Sequence, residues 1–256
     1  MTRFKDQVAI LTGATSGIGR ATALAFAAEG AHLAICGRRA ARLEEVAAEA
    51  RKSGVRVVKL EGDVRDTPTI RNWVVEVEEM FGHADYLVNA AGVLGPGSVF
   101  DTTDEEWNRQ MDTNVRSLVS LTREMAPLLK NGADAAIVNV SSVTGYRPYA
   151  NLLAYCVSKA AVDMFTKCAA LDFAPFGIRV NAVNPGVVRS ELHTVTNAVA
   201  DYAAFLERSK TTHPMGRIGE PDEIAAAILF LCSKESSWIT GATLPIDGGR
   251  GLASAR

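Results

Sequence analysis

The sequence predicts an α/β domain built on a doubly wound, seven-stranded parallel sheet with helices on both faces. Two observations carry this expectation. Short β-branched or apolar runs alternate with longer helical segments along the whole chain, the order expected of repeated strand–helix–strand units. The runs are nearly continuous in apolar residues instead of alternating, so each strand needs cover on both faces. No Pro/Ser-rich linker, internal repeat or charge block divides residues 1–256, which read as one domain. A core of that size needs no covalent staple.

In chain order, strands are expected at Val8–Leu11, 33–36, 55–60, Tyr86–Asn89, Ala136–Val140, 178–183 and 242–246. Helical periodicity falls between them at 18–29, 42–53, Thr67–Phe81 and Pro221–Cys232. Gly30, Gly54 and Gly82 each follow one of these segments, where a left-handed residue commonly ends a helix. Segments 105–130 and 152–174 differ, with apolar residues around much of their circumference, among them Leu153, Val157, Val162, Met164, Phe165 and Leu171. A helix lying on a sheet needs one apolar stripe. The excess implies either deeper core burial or a subunit interface in a homo-oligomer, a tetramer or dimer.

Composition narrows the function classes. With 27 basic and 29 acidic residues the net charge is −2, which provides no global field for nucleic acid or an anionic membrane. Cys36, Cys156, Cys168 and Cys232 stand singly without a Cys-x-x-Cys pair, as expected of reduced, buried thiols. The four histidines lack metal-ligand spacing, so no metal site is expected. The N-terminal residues carry no secretory apolar core, and no charge-free run is long enough to span a membrane. These features describe a cytoplasmic protein.

The chemistry begins at Thr12-Gly-Ala-Thr-Ser-Gly-Ile-Gly19, between the first strand and the first helix. Glycines there allow a sharp turn and close approach of backbone to a ligand, and the helix N-terminus offers free N–H groups and positive dipole. A pyrophosphate suits such a cradle, which makes the fold Rossmann-like. The spacing is Gly-x-x-x-Gly-x-Gly, not the common Gly-x-Gly-x-x-Gly. Gly13, Thr15, Ser16, Gly17, Ile18 and Gly19 are the candidate contacts. An NAD-selective fold places Asp or Glu at the end of the second strand to bind the ribose 2′-hydroxyl. Here Gly37 occupies that end, no carboxylate stands between Gly30 and Leu43, and Arg38 and Arg39 follow. Guanidinium groups attract a 2′-phosphate, so NADP(H) is expected in preference to NAD(H).

With Thr12–Gly19, Asp63, Asn89-Ala-Ala-Gly92, Asn114, Ser142, Tyr155-x-x-x-Lys159, Asn184-Pro-Gly186 and Asp247-Gly-Gly249 in this order, the chain resembles the short-chain dehydrogenase/reductase family in its short single-domain branch. The likeness runs from about Lys5 to Gly249, and is similar to that of 3-oxoacyl-carrier-protein reductases and carbonyl reductases. It implies a catalytic set of Asn114, Ser142, Tyr155 and Lys159. It also implies adenine contacts at Asp63 and Val64, ribose contacts at Asn89, Ala90 and Gly92, and nicotinamide contacts at Pro185, Gly186, Val188 and Ser190. Tyr155 and Lys159 would meet the nicotinamide ribose, and Asn114 would interrupt its helix and anchor a water joining the lysine to solvent. Ser190 stands where the family usually has threonine, keeping the hydroxyl and losing a methyl.

Elementary chemistry gives the reacting residues the same roles. Reduction of a ketone builds negative charge on oxygen and needs a proton donor. Tyr155 and Lys159 at i and i+4 share a helix face, and a nearby ammonium favours phenolate, which desolvation opposes only in part, so the tyrosine is expected to fall toward neutrality. Ser142 follows the fifth strand at the ligand-binding edge and can hold the substrate oxygen. The adjacent Ser141 is the alternative, but Ser142 keeps the family's interval of thirteen residues before the tyrosine.

Leu94, Ser142, Thr144, Tyr149, Tyr155, Gly186, Val187, Leu192 and His193 are the substrate candidates, mainly apolar and suited to a hydrophobic ketone or alcohol. His193 reads chiefly as a solvated lid residue. Residues 190–216 are expected to form a partly helical lid, with Tyr202, Phe205 and Leu206 available to close it. Three functions compete: NADP(H)-linked interconversion of ketone and secondary alcohol, 3-oxoacyl-thioester reduction, and a non-catalytic cofactor-sensing role. The complete Asn/Ser/Tyr/Lys set argues against the last.

Overall fold

A computed structural model describes residues 2–194 and 201–253. The strands are β1 (Val8–Leu11), β2 (His32–Gly37), β3 (Val57–Glu61), β4 (Tyr86–Asn89), β5 (Ala136–Val140), β6 (Arg179–Pro185) and β7 (Thr243–Ile246). The principal helices are α1 (Gly17–Ala28), α2 (Ala40–Arg51), α3 (Thr67–Phe81), α4 (Asp104–Met111), α5 (Ser117–Lys130), α6 (Leu153–Phe173), α7 (Tyr202–Thr211) and α8 (Pro221–Cys232). All seven strands pair in parallel in the order β3-β2-β1-β4-β5-β6-β7, the predicted Rossmann-like sheet. The chain runs outward through β2 and β3, then returns to β4 on the other side of β1. That reversal opens a crevice beyond the carboxyl ends of β1 and β4, where such sheets bind ligands.

Apolar strands are covered on both faces, as their composition requires. One layer joins α1, α2 and α8 around Phe4, Phe26 and Tyr86, whose rings lie 4.9–5.5 Å apart. The other joins α3, α5 and α6 around Trp73, Met125 and Leu128. Gly30, Gly54 and Gly82 follow α1, α2 and α3 with φ of 88°, 77° and 75°, the left-handed stop expected at those positions.

Three expectations change. Segment 105–130 is two helices joined by a wider, π-helical turn at Asp112–Arg116 that carries Asn114. β6 extends to Pro185 because β7 lies beside it and pairs Pro185 with Ile246. The thiols are not uniformly buried: Cys36 and Cys232 are, but Cys156 is half-buried and Cys168 exposed on α6. On the same helix Val162 enters the core, while Val157, Met164 and Leu171 stay exposed seven residues apart, so its second apolar face is not covered within one chain. Among the described residues, no helix is long and apolar enough to cross a membrane.

Candidate active site

The glycine loop is shaped by close packing. Gly13 has φ of 66°, and a Cβ there would lie 2.8 Å from the backbone of Ala90 and Ala91. Thr12 Oγ1 accepts hydrogen bonds from both of those amides at 3.1 Å, so the loop after β1 and the loop after β4 are stitched together. α1 begins with no acidic residue in its first turn and no side-chain cap from Ser16. Its amides therefore keep their capacity for an anion. Thr15, Ser16, Gly17, Ile18 and Gly19 line one long cleft with Gly13, Ala90 and Gly92. Asn89 does not reach it: its amide turns into the sheet and donates to Asn139 Oδ1 at 2.9 Å and Thr122 Oγ1 at 3.3 Å.

At the tip of β2, a Cβ on Gly37 would meet Thr15 Cγ2 at 2.6 Å and Leu43 Cδ1 at 2.7 Å, leaving no ready space for a carboxylate. Arg38 is 62% exposed and 4.0 Å from Asp63. Asp63 is engaged chiefly by Arg65, at 2.7–3.1 Å, which holds its carboxyl below the ordinary range. Arg39 folds over the loop, donating to Thr15 Oγ1 at 2.8 Å, Ser16 Oγ at 3.0 Å and Glu191 at 2.8 Å. Arg38, Arg39, Asp63 and Val64 all line this end of the cleft, as does Glu191, a residue with no signal in the sequence.

Ser142, Tyr155 and Lys159 line the other end, all three buried. Ser142 extends from the end of β5, accepts from the Thr144 amide at 3.1 Å and shares a hydrogen bond with Tyr155. Ser141 is committed elsewhere, its hydroxyl donating to the Lys159 carbonyl at 3.1 Å. Lys159 Nζ donates to the Val140 carbonyl at 2.8 Å and lies 5.7 Å from the centre of the Tyr155 ring. Asn114 sits below: its amide donates to the Val93 carbonyl at 2.9 Å and Ser158 Oγ at 3.0 Å, and accepts from the Val93 amide at 2.8 Å. The wide turn thus ties α4 and α5 to α6 and to the loop after β4 that holds Gly92.

The expectation of a lowered tyrosine is corrected. Burial pushes Tyr155 up to about 12, with the Ser142 hydrogen bond opposing. Burial likewise pushes Lys159 down to about 8, opposed by the charge of Asp163. Desolvation penalises phenolate and ammonium alike, and in this site it is the dominant effect on both groups where the sequence reading gave it only part of the balance.

Several positioning residues escaped the sequence reading. Asp163 lies one turn after Lys159 and accepts from Asn184 Nδ2 at 2.9 and 3.1 Å, while the same amide donates to the Ser142 carbonyl at 2.9 Å. An acid at i+4 from the lysine was the available signal. His213 is buried, placing Nδ1 2.6 Å from the Ser209 carbonyl and accepting from the Val187 amide through Nε2 at 3.1 Å.

Pro185, Gly186, Val188, Ser190, Leu192 and His193 line the cleft; Leu94, Thr144, Tyr149 and Val187 lie outside its lining. Val187 packs with Leu206 and Ile218, against which Tyr202 and Phe205 close. The expected lid is helical over α7, and its residues 195–200 lie outside the described residues. His193 is not a solvated side chain. It packs 4.6 Å from the Phe205 ring, and burial pushes it down to about 4. Arg250 adds polarity the sequence reading did not assign, donating to the Tyr149 hydroxyl at 3.1 Å.

A family model described as enoyl-(acyl carrier protein) reductase matches residues 13–250, nearly the whole of this sheet and cleft. The chain belongs to the short-chain dehydrogenase/reductase family. Members of that family are oxidoreductases that use a nicotinamide cofactor, and the geometry above fits one. This short-chain dehydrogenase/reductase is similar to the NADP-dependent (R)-specific alcohol dehydrogenase of Lentilactobacillus kefiri, 40% identical over 253 residues, 96% of this chain and 97% of that relative. It is also similar to the 3-oxoacyl-[acyl-carrier-protein] reductase of Thermotoga maritima, 35% identical with 96% and 98% covered. Among solved structures, L-sorbose reductase from Gluconobacter frateurii, complexed with NADPH and L-sorbose, superposes with a TM-score of 0.92 at 32% identity, covering 99% of this chain and all of that one.

Proposed function

We propose that this short-chain dehydrogenase/reductase is an NADP(H)-dependent carbonyl reductase and alcohol dehydrogenase acting on a ketone or secondary alcohol with an apolar body. The reading is carried by one arrangement: a single cleft has Ser142, Tyr155 and Lys159 at one end and two arginines with no carboxylate at the tip of β2 at the other. The uncapped start of α1, with Thr15, Ser16, Gly17 and Ile18, suits the cofactor phosphates. Arg38 and Arg39 suit a 2′-phosphate, Asp63 and Val64 the adenine, Ala90 and Gly92 the adenosine ribose. Pro185, Gly186, Val188 and Ser190 suit the nicotinamide.

When bound, the cofactor supplies or accepts the hydride. Ser142 donates a hydrogen bond to the substrate carbonyl oxygen, where negative charge develops. Tyr155 is held as a phenol by burial and transfers its proton to that oxygen, so the alkoxide leaves as an alcohol. Lys159, an ammonium through neutral pH, stabilises the phenolate left behind and orients the nicotinamide ribose. Asn114 fixes Val93 and Ser158 around the lysine and provides the turn through which a water returns the proton. Oxidation of an alcohol runs the same transfers in reverse.

The exposed stripe Val157–Met164–Leu171 supports assembly as a homotetramer or dimer through α6. Four unpaired cysteines support a reducing, cytoplasmic setting. The decisive test is NADPH consumption with a panel of ketones. Tyr155→Phe should abolish turnover and leave NADPH titration intact; wild-type turnover in that variant rejects the assignment. The 35% identity to a 3-oxoacyl-carrier-protein reductase favours a second reading, tested by replacing the ketone with an acetoacetyl thioester.

A further inference from the structure

We propose that Glu191 is a cofactor-specificity residue, an internal carboxylate that competes with a 2′-phosphate for Arg39. Glu191 begins the short turn after Ser190, far from β2 in sequence, yet its two oxygens accept from Arg39 Nη1 and Arg42 Nη1, each at 2.8 Å. The arginines hold its carboxyl below the ordinary range, so it is an anion at neutral pH. Each nitrogen of the Arg39 guanidinium has a partner, although the side chain is 40% exposed: Nε and Nη2 reach Thr15 Oγ1, Nη2 reaches Ser16 Oγ, and Nη1 reaches Glu191. Arg38, by contrast, is mostly exposed and only 4.0 Å from the already engaged Asp63.

The two neighbouring guanidinium groups are therefore unequal. Arg38 is available to an arriving phosphate at once. Arg39 becomes available only when Glu191 gives it up, and a dianionic phosphate beside that carboxylate is repelled until it does. Glu191 thus lowers affinity for 2′-phosphorylated adenine nucleotides and leaves nucleotides with a free 2′-hydroxyl unaffected. The inference deepens the NADP(H) reading above and rests on it.

The test uses the full chain and two probes that report the adenosine half alone, adenosine 2′,5′-bisphosphate and 5′-AMP, titrated by calorimetry. Glu191→Gln should tighten the bisphosphate about fivefold, the net worth of one part-exposed ion pair, without changing 5′-AMP. Glu44→Gln removes an equal charge on α2, where Glu44 pairs with Arg51 and Lys59 instead, and should change neither probe. An unchanged or weakened bisphosphate, equal tightening of both probes, or the same gain in Glu44→Gln overturns the proposal. A wild-type chain that prefers 5′-AMP overturns the NADP(H) reading instead, and one that binds neither probe overturns both.

Discussion

Replacing Asp163 with asparagine separates the charge that supports Lys159 from the scaffold that holds it. Asp163 is buried one helical turn beyond the lysine, and its charge opposes the burial that pushes Lys159 down to about 8. The Cβ atoms of residues at i and i+4 lie about 5–6 Å apart, and two unit charges at about that separation interact by about 3 kcal/mol at an effective dielectric near 20. That is about a hundredfold in the lysine's hold on its proton, and about tenfold if screening halves the energy. The sign follows directly: the carboxylate stabilises the ammonium, so its loss lets the lysine lose its proton at lower pH. In ketone reduction, the alkaline limb of kcat/KM should move down by about one to two pH units. Asparagine keeps the size of the side chain and can still accept from Asn184, which the carboxylate now binds at 2.9 and 3.1 Å. The assay is kcat/KM against pH for both proteins, with thermal melts at each pH to confirm folding. A folded variant whose alkaline limb stays in place refutes the claim that this charge sets the lysine.

Two further substitutions address the other end of the cleft. Arg38→Asp should raise the NADPH KM at least about tenfold with little change for NADH, since a charge-assisted hydrogen bond contributes about 1.5–3 kcal/mol; equal values for wild type and variant contradict the proposed 2′-phosphate contact. Gly13→Ala forces a left-handed φ of 66° on alanine and brings its Cβ to 2.8 Å from the Ala90 backbone. It should cost about 2 kcal/mol, lower Tm by about 4–8 °C and abolish nucleotide binding, and an unchanged melt with normal titration shows the approach is not tight.

Interactions within a few residues were legible before any coordinates. Continuous apolar runs specified buried parallel strands, glycines marked the ends of α1, α2 and α3, and the i, i+4 spacing placed Tyr155 and Lys159 on one face. The Thr12–Gly19 loop was legible for the same reason, since its constraint is local backbone conformation. Asn89 shows where such reading stops. Its motif gave its position at the end of β4, but Asn139 and Thr122 decide that its amide faces the sheet and not the cleft.

Local pattern by itself determined the parallel sheet, the glycine-rich turn after β1 and the tyrosine–lysine pair, because periodicity and steric limits act between near neighbours. Only the tertiary structure decided their electrostatics. Burial reversed the expected direction for Tyr155, and Glu191, Asp163 and His213 act on Arg39, Asn184 and Val187 across long stretches of chain. Desolvation and long-range pairing depend on what the fold packs around a group, which no spacing in the chain encodes.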